Sequence, residues 1–118
     1  NGLRGEIPCD KVHEDDHTLA FKDINPQAPV HVLVIPKGPY VSMDDFSTNA
    51  SDAEMAGLIR AVGKVARDLD VDDTGYRIIA NHGRDAFQEV PHLHIHVLGK
   101  RNMQGMLRRQ NKVLMANL

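Results

Sequence analysis

A second cysteine is missing from this chain, and so is any long apolar run. With Cys9 alone among 118 residues, neither an intramolecular disulfide nor a cysteine-only zinc site can form. That usage suits a reduced, cytoplasmic protein. The strongest apolar stretches, Val30–Pro36 and residues 93–98, are strand-sized. Both fall far short of the roughly 18 residues that cross a bilayer, so no membrane partner is expected. The opening Asn1-Gly2-Leu3-Arg4-Gly5 lacks the apolar core of a secretory signal. Net charge is only −2, which gives no electrostatic footprint for nucleic acid. Acidic residues are absent from residues 99–118, where Lys100, Arg101, Arg108, Arg109 and Lys112 make a basic tail on an acidic body. Such a tail is either a solvated face or an arm that approaches a phosphate or a partner subunit. There are no repeats, low-complexity tracts or domain-sized linkers, so residues 1–118 read as one domain.

Elements follow from periodicity and punctuation. Lys11-Val12-His13-Glu14 and residues 17–23 read as strands around an Asp15-Asp16 turn. Pro26 and Pro29 stiffen a connection into Val30–Pro36, whose β-branched run predicts a buried strand. Ser51-Asp52-Ala53-Glu54 is a capping-box pattern that opens a helix. Met55, Leu58, Ile59, Val62, Val65, Ala66 and Leu69 make its apolar stripe, and Gly57 and Gly63 suit close packing on a sheet. Asp72-Asp73-Thr74-Gly75 is a turn, residues 76–81 a strand, and residues 92–99 a last strand. The expected fold is α+β: a five-stranded, mainly antiparallel sheet with one main helix on a face.

The segment His92-Leu93-His94-Ile95-His96-Val97-Leu98 alternates strictly. Successive strand side chains point to opposite faces, so the three histidines share one face and Leu93, Ile95 and Val97 the other. The apolar face is expected against the helix. Three aligned imidazoles need partners for their nitrogens. Two chemistries fit: zinc held by neutral imidazoles, or phosphoryl transfer with one imidazole as nucleophile and others handling protons.

This motif resembles the signature of the histidine triad (HIT) superfamily. Gly5-Glu6-Ile7-Pro8, the run from Ala20 to Pro29, Val30-His31-Val32-Leu33-Val34-Ile35-Pro36-Lys37, Gly75-Tyr76-Arg77 and Gln88-Glu89-Val90 are similar to its nucleotide-binding branch, particularly the bacterial members. The likeness runs over a core of about residues 5–107, leaving 108–118 as tail. The resemblance implies a HIT-like fold, and a homodimer whose sheets join into ten strands. It implies cleavage of the P–N bond of purine nucleoside 5′-phosphoramidates without cofactor or metal, through a nucleotidyl-histidine. By position His94 is the nucleophile, His96 meets the phosphate or leaving group, and His92 and His31 assist. Asp23 matches a ribose-binding carboxylate. Ile7, Phe21 and Ile24 match the base pocket, and Asn81, Gln88, Glu89 and Val90 the phosphate side. A nucleotide-binding or scaffolding dimer with vestigial catalysis is the alternative. It is motivated by Ala86-Phe87, which stand where close relatives carry two glycines. A β-carbon there restricts positive φ, so that loop is expected to differ. The Gly99–Met106 stretch also departs from the branch's Gly-Gly-Arg-Pro-Leu-Gly-Pro-Met pattern, which bears on leaving-group preference. His13, His17 and His82 match no catalytic position and read as surface residues.

Overall fold

A computed structural model of the chain describes residues 10–107; Ile7, Cys9, Arg108, Arg109 and Lys112 lie outside the described residues. Strand β1 (Lys11–Glu14) pairs with β2 (Thr18–Lys22) across a turn that Asp15 closes. Its Oδ1 accepts from His17 N–H at 2.9 Å, and its Oδ2 lies 2.8 Å from His13 Nε2. This is the local side-chain bonding that makes Asp a turn residue. It also draws His13 and His17 into half-buried positions, whereas His82 is exposed as expected.

Strand β3 (Val30–Pro36) has the bounds its β-branched run predicts. Helix α1 (Met43–Asn49) was not legible from periodicity; it is two turns long and buries only Phe46. Helix α2 (Asp52–Asp68) starts at the capping box, with Ser51 Oγ accepting from Glu54 N–H and Glu54 returning the bond to Ser51 N–H. Gly57 does serve close packing, since a Cβ there would sit 3.2 Å from His17 Cβ. Gly63 does not: a Cβ there would meet only the flexible end of Arg67. Strands β4 (Tyr76–Ile79) and β5 (Ile95–Gly99) complete the sheet, and Gly75 supplies the positive φ of 105° for the turn into β4.

The five strands lie in the order β1-β2-β3-β5-β4, every neighbouring pair antiparallel. Helix α2 covers one face. Its Leu58, Ala61, Val62 and Val65 close a core with Ala20, Val32, Val34, Leu93, Ile95 and Val97. Burial of such side chains contributes roughly 1.5–3 kcal/mol each. Two expectations fail here. Ile59, read as part of the stripe, is 65 % exposed on the outer face of α2. The final strand is also shorter than predicted, because its ladder with β3 begins at the Val34–Ile95 pair and His92, Leu93 and His94 precede it. Alternation survives beyond the ladder: Leu93 is buried with the core while His92 and His94 stay half-buried. No helix among the described residues is long and apolar enough to cross a membrane.

Candidate active site

The face opposite α2 carries the histidines. Register lines up Phe21, Leu33, His96 and Ile79 across four strands, with His31 two residues from Leu33 on the same face. His94 precedes His96 by the same two-residue step. The triad therefore meets a fourth histidine from a different strand, which sequence spacing alone does not place.

The hydrogen bonds assign every proton on these rings in their neutral forms. Beyond the ladder, Leu93 N–H donates to Tyr40 O at 2.8 Å and His92 Nε2–H to Pro36 O at 3.0 Å. These bonds hold the pre-ladder segment in place of sheet pairing. His94 Nδ1 lies 2.8 Å from His92 O. A carbonyl only accepts, so Nδ1 carries the proton and Nε2 keeps its lone pair. On the other side, Gln27 N–H donates to His31 Nδ1 at 3.0 Å. His31 must then carry its proton on Nε2, which faces His96 Nδ1 at 2.9 Å and Asp23 Oδ2 at 3.3 Å. His96 Nδ1 accepts, so neutral His96 presents Nε2–H. His94 offers a lone pair and His96 a proton, on rings whose centroids are 5.0 Å apart and nearly perpendicular.

Burial is the main reason the His96 pKa is lowered, and the neighbouring His94 and His31 push the same way against the pull of Asp23. His96 is thereby favoured in the neutral form that donates through Nε2. Asp23 also accepts Asn25 N–H on Oδ1 at 2.8 Å, which ties the loop after β2 to the carboxylate facing His31.

Asp23, His31 and His96 put ligand atoms within 4.8 Å of one another and could hold a metal ion. This set differs from the three alternating histidines of the zinc reading. The His31–His96 nitrogens stand at hydrogen-bond separation, closer than the roughly 3.3 Å between two nitrogens on one tetrahedral zinc. A shared proton fits the gap as it stands.

The remaining residues expected here are placed unevenly. Phe21 is half-buried in the row that includes His96. Ile24 is 98 % exposed in this chain, because the loop after β2 turns it outward. Asn81 is half-buried just past β4. Gln88 is committed to its own loop: its Nε2 donates to Val41 O and Val90 O, its Oε1 accepts from Gly83 N–H, and its backbone N–H goes to Gly83 O. Among the described residues, no hydrogen bond engages the exposed Glu89 and Val90 amides, which therefore remain open to an oxyanion. Phe87 adopts φ 60° in this turn, so its β-carbon has not prevented a left-handed backbone there. Sequence reasoning missed the Gln27 amide, the Pro36 carbonyl and Tyr40, because main-chain donors and acceptors leave no residue-type signature.

Comparison with known proteins agrees with the geometry. The HIT domain matches residues 4–103. The chain belongs to the HIT family. An Azospirillum brasilense HIT-like protein is 65 % identical over 105 residues, spanning 89 % of this chain and 86 % of the relative. A purine nucleoside phosphoramidase of Escherichia coli is 41 % identical over 89 % of this chain and 87 % of its own length. Among solved structures, a HIT family hydrolase from Legionella pneumophila superposes with a TM-score of 0.81 at 40 % identity, covering 89 % of this HIT chain and 93 % of that one. A histidine triad protein from Clostridium difficile gives 0.78 at 42 %, covering 89 % and 90 %.

Proposed function

We propose that this HIT protein hydrolyses purine nucleoside 5′-phosphoramidates with His94 as the nucleophile. The observation that carries the reading is the His94 Nδ1–H to His92 carbonyl bond, which leaves Nε2 unprotonated. In this mechanism Nε2 attacks the α-phosphorus and the P–N bond breaks. The leaving nitrogen takes a proton from solvent, returned by the water that attacks in the next step, and departs as an amine. Water then displaces the imidazole from phosphorus, giving the nucleoside monophosphate and free His94. His96 donates its Nε2–H to the phosphoryl group, which a neutral imidazole of depressed pKa still does at pH 7. His31 holds His96 in that tautomer, and His92 supplies the carbonyl that orients His94. Asp23 retains acceptor capacity for ribose hydroxyls. Phe21 and Ile24 present apolar surface for the base, and the open exposure of Ile24 suits a residue that a ligand covers. The E. coli relative's name supports the substrate class.

The reading includes a cytoplasmic homodimer. Strand β4 is one of the two outer strands of the sheet, with Tyr76, Ile78 and Ile79 exposed along it. Antiparallel pairing of two such edges would make a ten-stranded sheet. Sedimentation showing only monomer at micromolar concentration would count against that pairing.

The test of activity is adenosine 5′-phosphoramidate turnover by the wild-type protein and by His94→Asn, with mass spectrometry for a nucleotidyl adduct. Turnover with an adduct on His94, lost in the variant, is the expected result. An adduct on another histidine overturns the role of His94. Nucleotide binding with no turnover in either protein favours a binding or scaffolding dimer instead.

A further inference from the structure

Arg101 leaves β5 two residues after the sheet ends and crosses to the opposite loop. Its Nη1 donates to Gln27 O at 2.8 Å. Gln27 is also the residue whose N–H caps His31 Nδ1 at 3.0 Å. We infer that Arg101 is a positioning residue: by clamping Gln27 it keeps that amide on His31 and so maintains the proton pattern through His31 to His96.

Three features converge on this role. The 23–29 loop has few ties. Among the described residues, its polar ties beyond itself are the Asp23 bonds to His31, the Gln27 amide on His31 and the Arg101 clamp. Asn25 N–H to Asp23 and Gln27 Nε2–H to Asn25 O are internal to the loop. Asn25, Pro26 and Gln27 are exposed, and the loop's only buried side chain is the single methyl of Ala28. The arm that carries Arg101 is itself anchored. Lys100 turns the chain at φ 64°, and Arg77 on β4 donates to Met103 O and Gln104 O.

The consequence is chemical. An N–H donated to Nδ1 needs the lone pair there, so it holds His31 in the tautomer with its proton on Nε2. Release of Gln27 would let neutral His31 carry its proton on Nδ1, as the other tautomer. His96 would then lose its defined donor at Nδ1 and no longer be held in the Nε2–H form.

The test compares wild type with Arg101→Ala, Arg101→Lys and, as a neighbouring charge control, Lys100→Ala. Imidazole nitrogen NMR reads the tautomers directly. The expected wild-type pattern at pH 7.5 is an unprotonated Nδ1 and a protonated Nε2 on both His31 and His96. Arg101→Ala should give exchange-averaged His31 and His96 nitrogens with the melting temperature held, Arg101→Lys should restore the pattern, and Lys100→Ala should keep it. Kinetics rest on the phosphoramidase reading above: Arg101→Ala should lower kcat by about five- to tenfold, the worth of one to two ordinary hydrogen bonds, with KM little changed. Wild-type nitrogen signatures in Arg101→Ala overturn the inference, even if activity falls. Should the wild-type protein prove inactive on phosphoramidates, the nitrogen spectra still decide.

Discussion

Gly99→Ala should be among the most damaging single-methyl changes in this fold. Gly99 ends β5, paired with Val30 on one side and Tyr76 on the other. A Cβ there would lie 2.5 Å from Val71 Cγ1 and 2.9 Å from Val71 Cβ. Carbon atoms pack best at about 3.5–4.0 Å, so roughly 1 Å of movement is needed. Rotating the valine moves its methyls but not its Cβ, and a β-branched side chain has few rotamers to try. Val71 is fully buried, and its backbone is pinned by Val71 N–H to Ala66 O and Gly75 N–H to Val71 O. With both backbones held, the strain belongs near the top of the overpacking range, about 2–3 kcal/mol. In a domain of this size that lowers the melting temperature by roughly 10 °C or more. Urea unfolding followed by far-UV circular dichroism measures it. Val71→Ala removes the methyl contact and leaves the Cβ contact, so Gly99→Ala should cost about half as much in that background. A cost below about 0.5 kcal/mol in the wild-type background, or strict additivity with Val71→Ala, would refute the steric argument.

Other outcomes follow from the same geometry. The lowered His96 pKa means that the unfolded chain binds a proton, below its ordinary 6.5, that the folded chain resists. Stability is therefore present near neutrality and falls as pH drops through that window; thermal melts from pH 7.5 to 5 should show a steeper loss for wild type than for His96→Asn, and equal slopes would exclude the assignment. Ser51→Ala removes one side of the capping box and should cost about 1 kcal/mol in a urea titration. Phe87 is 77 % exposed at positive φ. Phe87→Gly relieves about 1–2 kcal/mol of left-handed strain against roughly 0.5–1 kcal/mol of added chain entropy, so the variant should match or exceed wild-type stability; a clear loss would show that the ring makes contacts worth more than the strain.

The parts of the fold that were legible in sequence are those with strong local chemistry. Val30–Pro36 announced itself through β-branching between prolines, and α2 through a cap followed by a periodic stripe. Helix α1 was silent because one buried phenylalanine makes no period. Its local signals are confined to its start: Ser42, which caps Asp45 N–H as Ser51 caps Glu54, and the first-turn acids Asp44 and Asp45. The last strand was overextended because alternation persists in an extended chain whether or not a ladder pairs with it. At the site, the shared face of His92, His94 and His96 was readable and the family pattern pointed to His31, while its bond to His96 was seen only in the structure. The proton positions were beyond reach, since they depend on the Gln27 amide and on carbonyls that any residue possesses. Ile59 and Ile24 show the converse limit: apolar identity does not say whether neighbouring structure covers a residue.

The amide of Gln27 and the carbonyls of His92 and Pro36 place protons on three separate rings. Peptide groups are common to all residues, so exchanging those side chains leaves these donors and acceptors in the chain. Among natural substitutions only proline at position 27 deletes one outright. The instructions for protonation are thus kept apart from the residues that genetic drift most readily alters. Gln27 itself, exposed and distant in sequence from the triad, can change its side chain while its main chain goes on performing the same service.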